Sequence, residues 1–138
     1  MINLSSAAQT PVILDDFFST PLMESMDAYS QSKLAIIMWT RHLVHSLNNA
    51  PVMISVNPGS LLASKMVKES FGINGKDIAI GAKILTQLAL DPKHTNDSGK
   101  YFDNDIGKFN QPHKSGLINK DCAKLVSLMD IFIAENSA

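Results

Sequence analysis

Three short β-favouring segments alternate with helical segments along this sequence, and that order constrains the fold more than any other feature. The segments are "MINLSS" at 1–6, "VMISVN" at 52–57 and "GKYFD" at 99–103. Strands that alternate with helices are typical of a parallel sheet covered by helices. The sequence therefore predicts an α/β fold that opens on a short buried strand ending at Ser5 and Ser6.

Helical periodicity marks the intervening segments. The first helix is expected to be capped by Asp27 and to end at "NNAP", with apolar residues at helical spacing: Leu34, Ile37, Met38, Val44 and Leu47. Further helices are predicted at 61–70, at 75–90, and from Asn119, as the cap, to about 134. Residues 7–26 and 104–116 are predicted to be loops, the first with a helical turn around 15–19.

Length and composition point to a single soluble domain of 138 residues, 45% of them hydrophobic. A formal net charge of −1 without any Lys/Arg run argues against nucleic acid and anionic membranes as partners. The single cysteine, Cys122, excludes an internal disulfide framework and a cysteine-rich zinc site. The longest apolar run, Leu34–Trp39, is far shorter than the roughly 20 residues that span a bilayer. We therefore expect a cytoplasmic protein with no transmembrane segment in this chain.

Polar residues and turn residues follow the first two predicted strands, and a Tyr-Lys pair lies near the start of the helix between them. Ser5 and Ser6 follow the first strand, "NPGS" follows the second, and Tyr29 and Lys33 stand four apart in the helix. Ligand sites of parallel sheets form beyond the carboxyl ends of the strands. All of these features are therefore expected at one rim of the sheet.

The chemistry of this set is that of proton exchange at an oxygen atom. Residues four apart share one helix face, so the Lys33 ammonium can stabilise the phenolate of Tyr29. A serine hydroxyl opposite can hold a substrate oxygen. The Pro58-Gly59 turn allows a flat ligand close to the backbone.

Taken in this order and on these elements, Ser6, "YSQSK" and "NPGS" resemble the catalytic half of the short-chain dehydrogenase/reductase family. "LALDPKHTNDSGKYF" is similar to the segment that leads through that family's last strand, especially in its retinol-dehydrogenase-like branch. The resemblance covers essentially the whole chain. It implies the C-terminal part of a Rossmann-type, doubly wound parallel sheet.

The family resemblance also implies a role for each matching residue. Tyr29 would exchange the proton at a carbonyl or alcohol oxygen, assisted by Lys33, which would also bind the nicotinamide ribose. Ser6 would orient the substrate oxygen, and Pro58 and Gly59 would lie along the nicotinamide. The implied reaction is hydride transfer between NAD or NADP and a carbonyl/alcohol pair, without a metal.

Three departures from the family pattern bear on these roles. The interval from Ser6 to Tyr29 is longer than usual, and the extra residues, around "VILDDFF", are expected to shape a pocket for a lipophilic substrate. The usual Thr after Pro-Gly is matched only by Ser64, with one extra residue between. The family's N-terminal half, with its Gly-rich phosphate-binding turn, has no counterpart here. Residues 1–138 are therefore expected to be the C-terminal part of one domain, inactive alone, and they do not discriminate NAD from NADP.

Other interpretations remain open at this stage. Tyr29 and Lys33 can be a solvated helical turn, Ser6 a strand-end hydrogen-bonding residue, and 57–59 an ordinary turn. The main alternative function is a non-catalytic interaction or oligomerisation module, whose first strand would be an exposed sheet edge. A hydrolase using Ser6 is disfavoured because the Gly-x-Ser-x-Gly elbow is absent.

The remaining polar and aromatic candidates are assigned to packing or to the surface. The histidines have no partner at metal-ligand spacing (His42, His45, His94 and His113). Asp15-Asp16 is expected in a solvated loop, Met38 and Trp39 in the core or in helix pairing, and Cys122 in a buried position. In the family, the helix with the Tyr-Lys motif often pairs with its copy, so a homo-oligomer is an open possibility.

Overall fold

The computed structural model describes residues 1–19, 23–63 and 65–137. Its strands form a four-stranded sheet in the order β1 (Ile2–Leu4), β2 (Ile54–Asn57), β3 (Tyr101–Asp103) and β4 (Lys108–Asn110). The first three are parallel, and β4 pairs antiparallel with β3. The prediction of an α/β fold is thus confirmed, with a sheet like that of a partial Rossmann-type domain.

The first strand is less buried than predicted, because it lies at the edge of the sheet. Within the described residues β1 pairs only with β2, with Ile2 opposite Ile54 and Leu4 opposite Val56. Leu4 is 48% exposed, whereas all four residues of β2 are buried. The centre of the sheet is therefore β2.

In the described part of the chain, α-helices occupy the regions in which periodicity predicts them: α1 (Ser25–Ser46), α2 (Lys65–Phe71), α3 (Ala79–Leu90) and α4 (Asn119–Asn136). The helix predicted at 75–90 begins later than expected, at Ala79. The residues that precede it, Gly75 and Lys76, instead lie beside the segment after β2, where Leu62 and Lys76 form an isolated bridge. Backbone pairing with a distant segment thus replaces the first turn that periodicity predicts.

The two predicted helix caps are wrong. Helix α1 begins at Ser25, which leaves Asp27 inside its first turn, where a carboxylate is favourable near the positive end of the helix dipole. Helix α4 begins at Asn119 itself, and Ile118 occupies the capping position. Polar residues are common throughout a first turn, so their presence locates a helix start only to within one or two residues.

The predicted loop at 104–116 contains regular structure. It includes β4 and a 3-10 helix, Lys114–Leu117. In β4, Phe109 lies opposite Phe102 of β3, and their rings meet edge to face with centroids 5.1 Å apart. A three-residue strand with one apolar side chain is too short to carry a periodic signal, so pairing with β3 decides its conformation.

The predicted loop at 7–26 is confirmed at 7–19 and 23–24, which contain turns but no regular element, whereas its last two residues already belong to α1. The expected turn around 15–19 is present at 15–18, and the Ser19 amide donates a 3.1 Å hydrogen bond to the Asp16 carbonyl oxygen. Three apolar side chains of this loop pack against the core between α1 and α4: Val12, Leu14 and Phe17. The loop is therefore anchored by burial of its apolar positions.

Within the described residues, most buried apolar side chains belong to two clusters. One joins α1, β3 and α4 through Leu34, Ile37, Met38, Tyr101, Cys122 and Leu125. The other joins β2, β3 and α3 through Ile54, Val56, Ile84, Leu88 and Phe102. Adjacent residues of β3, Tyr101 and Phe102, belong to different clusters, because successive strand side chains point to opposite faces. Leu47, predicted to lie on the apolar face of α1, follows the end of that helix and is 49% exposed.

Candidate functional site

A cavity of about 700 Å³ opens beyond the carboxyl ends of β1 and β2. We call it the rim cavity; the predicted residues Ser6, Tyr29, Pro58 and Gly59 all line it. They come from the end of β1, from α1 and from the turn after β2, respectively. Its volume falls in the range of roughly 300–1,000 Å³ that is common for small-molecule sites.

The fifth predicted residue, Lys33, lies next to Tyr29 but does not line the cavity. Its Nζ atom is 5.3 Å from the centroid of the Tyr29 ring and 3.4 Å from the carbonyl oxygen of Leu4, to which it donates. The first distance allows attraction between the ammonium group and the aromatic face. Lys33 therefore joins the tyrosine to the end of β1.

Ser6 is held through its backbone and its side chain. Its carbonyl oxygen accepts hydrogen bonds from the Tyr101 hydroxyl (3.1 Å) and from Gln9 Nε2 (2.8 Å). Its Oγ atom accepts from the Ala8 amide at 3.1 Å, which uses an acceptor site and not the hydroxyl proton. The side chain of Ser5, by contrast, donates to the Lys33 carbonyl oxygen at 2.8 Å. The two neighbouring serines thus have different partners.

Burial keeps Tyr101 in its protonated form. Loss of solvent, with Asp103 nearby, raises the pKa of Tyr101 well above its usual range. A phenol that stays neutral remains a hydrogen-bond donor, as its bond to Ser6 requires. This role could not be predicted from the sequence, since a tyrosine in a predicted strand gives no sign of a contact with a residue so distant along the chain.

The turn at Pro58-Gly59 is held by side chains from two strand ends. The Asn57 amide group bonds to Asp103, to Asp105 and to the Gly59 backbone. Asp105 and its neighbour Asn104 were predicted only as part of a polar loop. The signal that could have located them is the run "DND" at 103–105, which follows a strand at the rim where the other candidates lie.

The apolar wall of the rim cavity comes from α2, α3 and the segments next to them, not from "VILDDFF" as predicted. The apolar residues on this side are Leu61, Leu62, Val67, Phe71, Ile78 and Leu85. The "VILDDFF" segment supplies no lining residue of this cavity. Its Val12, Leu14 and Phe17 side chains pack, partly buried, against the core between α1 and α4, and Ile13 and Phe18 are exposed. The expected contact from Ser64 lies outside the described residues.

Helix α3 approaches the turn closely at Gly81. A Cβ atom added there would lie 2.7 Å from Leu62 Cδ1 and 3.3 Å from Pro58 Cβ. The first distance is too short for ordinary packing. The absence of a side chain at Gly81 therefore allows α3 to pack directly on Pro58 and Leu62.

The other candidates have the following environments. His94 is buried, and its Nδ1 atom is 2.8 Å from Asp97 Oδ2. Cys122 is buried as predicted, and burial raises the pKa of its thiol. Asp15 is exposed and forms an ion pair with Lys124. Among the described residues, no group of three His, Cys, Asp or Glu side chains is placed to hold a metal ion. No helix in the described ranges is long and apolar enough to cross a membrane.

The fold and the cavity together define an α/β domain with a small-molecule-sized site at the carboxyl ends of its parallel strands. The chain is similar to retinol dehydrogenase 13 of Mus musculus, with 31% identity over 121 residues that take in 75% of this chain. It spans only about a third of that relative's length (36%). No family model matches the chain, and no solved structure matches it. The similarity supports the resemblance to short-chain dehydrogenases/reductases and, at that general level, an oxidoreductase.

Proposed function

We propose that this chain supplies the catalytic half of an NAD(P)(H)-dependent oxidoreductase that interconverts a carbonyl and an alcohol. On this proposal residues 1–138 are the C-terminal part of a single domain of the short-chain dehydrogenase/reductase type. The observation that carries it is the convergence of Ser6, Tyr29 and the Pro58-Gly59 turn on one cavity. Similarity to a retinol dehydrogenase provides independent support.

In the proposed reaction, Tyr29 gives its phenolic proton to the carbonyl oxygen during reduction and takes one back during oxidation. The Lys33 ammonium, 5.3 Å from the centre of the tyrosine ring, offsets the negative charge that the phenolate carries between the two states. Ser6 donates its hydroxyl proton in a hydrogen bond to the same substrate oxygen, and this bond keeps that oxygen beside Tyr29. Ser6 is suited to this, since its bond from Ala8 leaves the hydroxyl proton unused.

The residues of the rim cavity fit the nicotinamide end of the cofactor. Pro58 and Gly59 line the cavity, and Gly59 has no side chain of its own to keep a flat ring away from its backbone. When bound, the nicotinamide would supply or accept the hydride. The sequence has no Gly-rich turn for the pyrophosphate, so this chain alone is proposed to be inactive, and the choice between NAD and NADP lies with other residues.

The substrate is proposed to be a lipophilic carbonyl or alcohol. Its polar oxygen would meet Ser6 and Tyr29, while its apolar body would lie against the wall formed by α2, α3 and the segments next to them. Leu61, Phe71 and Ile78 on this wall are 41%, 48% and 57% exposed, so contact with an apolar molecule would remove considerable apolar surface from water.

The catalytic assignment is tested by Tyr29→Phe in the protein expressed from the complete reading frame. Loss of carbonyl reduction with unchanged circular dichroism and thermal midpoint is expected, using all-trans-retinal and simpler aldehydes with NADH or NADPH. Lys33→Met should lower turnover strongly, whereas the matched change at the exposed Lys120 should not. Substantial turnover by Tyr29→Phe would refute the assignment. DNA sequence upstream of the Met1 codon tests the domain proposal: a stop codon with a start signal there would contradict it.

The exposed edge of β1 favours a second candidate, a non-catalytic interaction or oligomerisation module. The strand pairs with β2 on one side, and Met1 and Leu4 are 61% and 48% exposed. Such an edge can pair with a strand of another chain, including a second copy of this one. Light scattering over a range of concentrations tests this candidate, and a stable monomer would argue against self-pairing.

A further inference from the structure

Asp105 sits at the centre of the hydrogen bonds around the turn after β2. Its Oδ1 atom accepts from the Ser60 amide at 2.8 Å, and its Oδ2 atom accepts from Asn57 Nδ2 at 2.9 Å and from the Ser60 hydroxyl. Its own amide donates to Asp103 Oδ1 at 3.1 Å, which orients the residue relative to β3. One carboxylate thus binds both the strand end and the backbone that follows the Pro-Gly pair.

Asn57 and Asn104 complete this arrangement. The Asn57 side chain also donates to Asp103 at 2.9 Å and accepts from the Gly59 amide at 3.2 Å. Asn104 donates its backbone amide to the Asn57 carbonyl oxygen at 3.0 Å and its side-chain amide to the Pro58 carbonyl oxygen at 2.9 Å. The β3–β4 connection therefore forms hydrogen bonds with Asn57, Pro58 and Ser60. The remaining residue of the turn, Gly59, bonds to the Asn57 side chain.

The turn needs such support because its continuation is strained. Leu61, which lines the rim cavity, has φ of +56°, a conformation that bulky residues rarely adopt. On its C-terminal side the Leu61 carbonyl oxygen accepts from the Lys76 amide at 2.7 Å. On its N-terminal side the nearest of these contacts is the bond from Ser60 to Asp105. Strain of this kind persists only where the surroundings fix both sides of the residue.

The ionisation of Asp105 agrees with this role. Partial burial would raise its pKa, but the hydrogen bonds from Ser60 and Asn57 and the nearby Lys76 outweigh burial and hold the pKa below the ordinary value of 3.8. Asp105 is therefore a carboxylate at neutral pH. A carboxylate only accepts hydrogen bonds, and its three partners are all donors: the Asn57 side-chain amide, the Ser60 backbone amide and the Ser60 hydroxyl.

We propose that Asp105 is a positioning residue that fixes the backbone from Pro58 to Leu61 in the conformation that binds the nicotinamide. The inference rests on the proposed function, since it assigns that turn to nicotinamide binding. Asp105 does not line the rim cavity and acts through Ser60 and Asn57. Removal of its carboxylate should make the turn more mobile and weaken binding of the nicotinamide without disturbing the core.

The test compares the wild-type chain with Asp105→Ala, Asp105→Asn and the control Asp130→Asn, an exposed aspartate on α4. Amide hydrogen exchange by NMR reports on the turn, and titration with nicotinamide mononucleotide reports on binding. This probe carries the nicotinamide without needing the missing pyrophosphate cradle. Both Asp105 variants should accelerate amide exchange at Ser60 at least tenfold. They should also raise the Kd of the mononucleotide at least fivefold. Exchange in α1 and α4 should stay unchanged, and the control should match wild type.

Each outcome discriminates between the two proposals. A wild-type chain that binds the mononucleotide, with equal binding by the Asp105 variants, would overturn the positioning role and leave the proposed function intact. Unchanged exchange at Ser60 in both variants would overturn it as well. A wild-type chain whose rim-cavity resonances do not respond to the mononucleotide would contradict the proposed function, and with it the ligand role of Asp105.

Discussion

The hydroxyl group of Tyr101 donates a 3.1 Å hydrogen bond to the carbonyl oxygen of Ser6, and so ties the third strand of the sheet to the end of the first. Tyr101 is 4% exposed, and its ring belongs to the core between α1 and α4. The position of a candidate catalytic serine therefore depends on a buried aromatic residue. That bond couples core packing to the geometry of the site.

Tyr101→Phe should lower the free energy of unfolding by about 1 kcal/mol, the usual net contribution of one hydrogen bond. The loss should be no larger, because Gln9 still donates to the same Ser6 oxygen at 2.8 Å. Urea denaturation provides the measurement. Tyr29→Phe, which removes a hydroxyl from a partly exposed ring, is the matched control and should change stability by less than about 0.5 kcal/mol. Equal stability of Tyr101→Phe and wild type would contradict the coupling.

Leu34→Ala should lower the free energy of unfolding by about 2–5 kcal/mol, as expected for a cavity in a packed core. Leu34 is fully buried in the cluster shared by α1 and α4. Leu47→Ala should cost less than about 0.5 kcal/mol, because that side chain is half exposed beyond the helix end. Chemical denaturation compares the two. Similar losses for both variants would mean that Leu47 is buried on the apolar face of α1, as its spacing predicts, and is not exposed.

Gly75→Ala should destabilise the protein more than Gly72→Ala does. Both glycines have left-handed backbones, with φ of +71° and +64°, so each alanine costs about 1–2 kcal/mol through its conformation alone. A Cβ atom at position 75 would also lie 2.8 Å from the Ala63 amide nitrogen and the Leu61 carbonyl oxygen, whereas one at 72 meets nothing within 4 Å. Thermal denaturation of the pair isolates the steric part. A smaller effect at position 75 would be inconsistent with this packing.

Asp97→Asn should destabilise the protein by about 1–3 kcal/mol at pH 7, and the difference should vanish in acid. Burial opposes ionisation of Asp97, but hydrogen bonds from Lys100 (2.7 Å) and His94 (2.8 Å) hold its pKa below the ordinary value of 3.8. A depressed pKa stabilises the folded state above pH 3.8, and this contribution is lost as pH falls through the folded-state pKa. Urea denaturation from pH 7 to 2.5 measures it. A difference independent of pH would exclude the carboxylate as its cause.

The order of strands and helices could be predicted from the sequence because it depends on local periodicity. The apolar residues Leu34, Ile37 and Met38 recur at helical spacing and are buried as expected, and "VMISVN" becomes the central strand. The site candidates were located by the same kind of inference. Residues that directly follow parallel strands reach one rim, so the structure brings Ser6 and Pro58-Gly59 to a shared cavity.

Only the tertiary structure decided which residues surround those candidates. The strand β4, the contact between Tyr101 and Ser6, the hold of Asp105 on the turn, and the apolar wall from α2 and α3 all join residues distant along the chain. Periodicity depends on residues that are close together in the sequence, so it cannot predict contacts between distant segments. The sequence by itself therefore determined the class of fold and the chemistry at the strand ends, whereas packing between distant segments determined the shape of the cavity and the bonds that hold its residues.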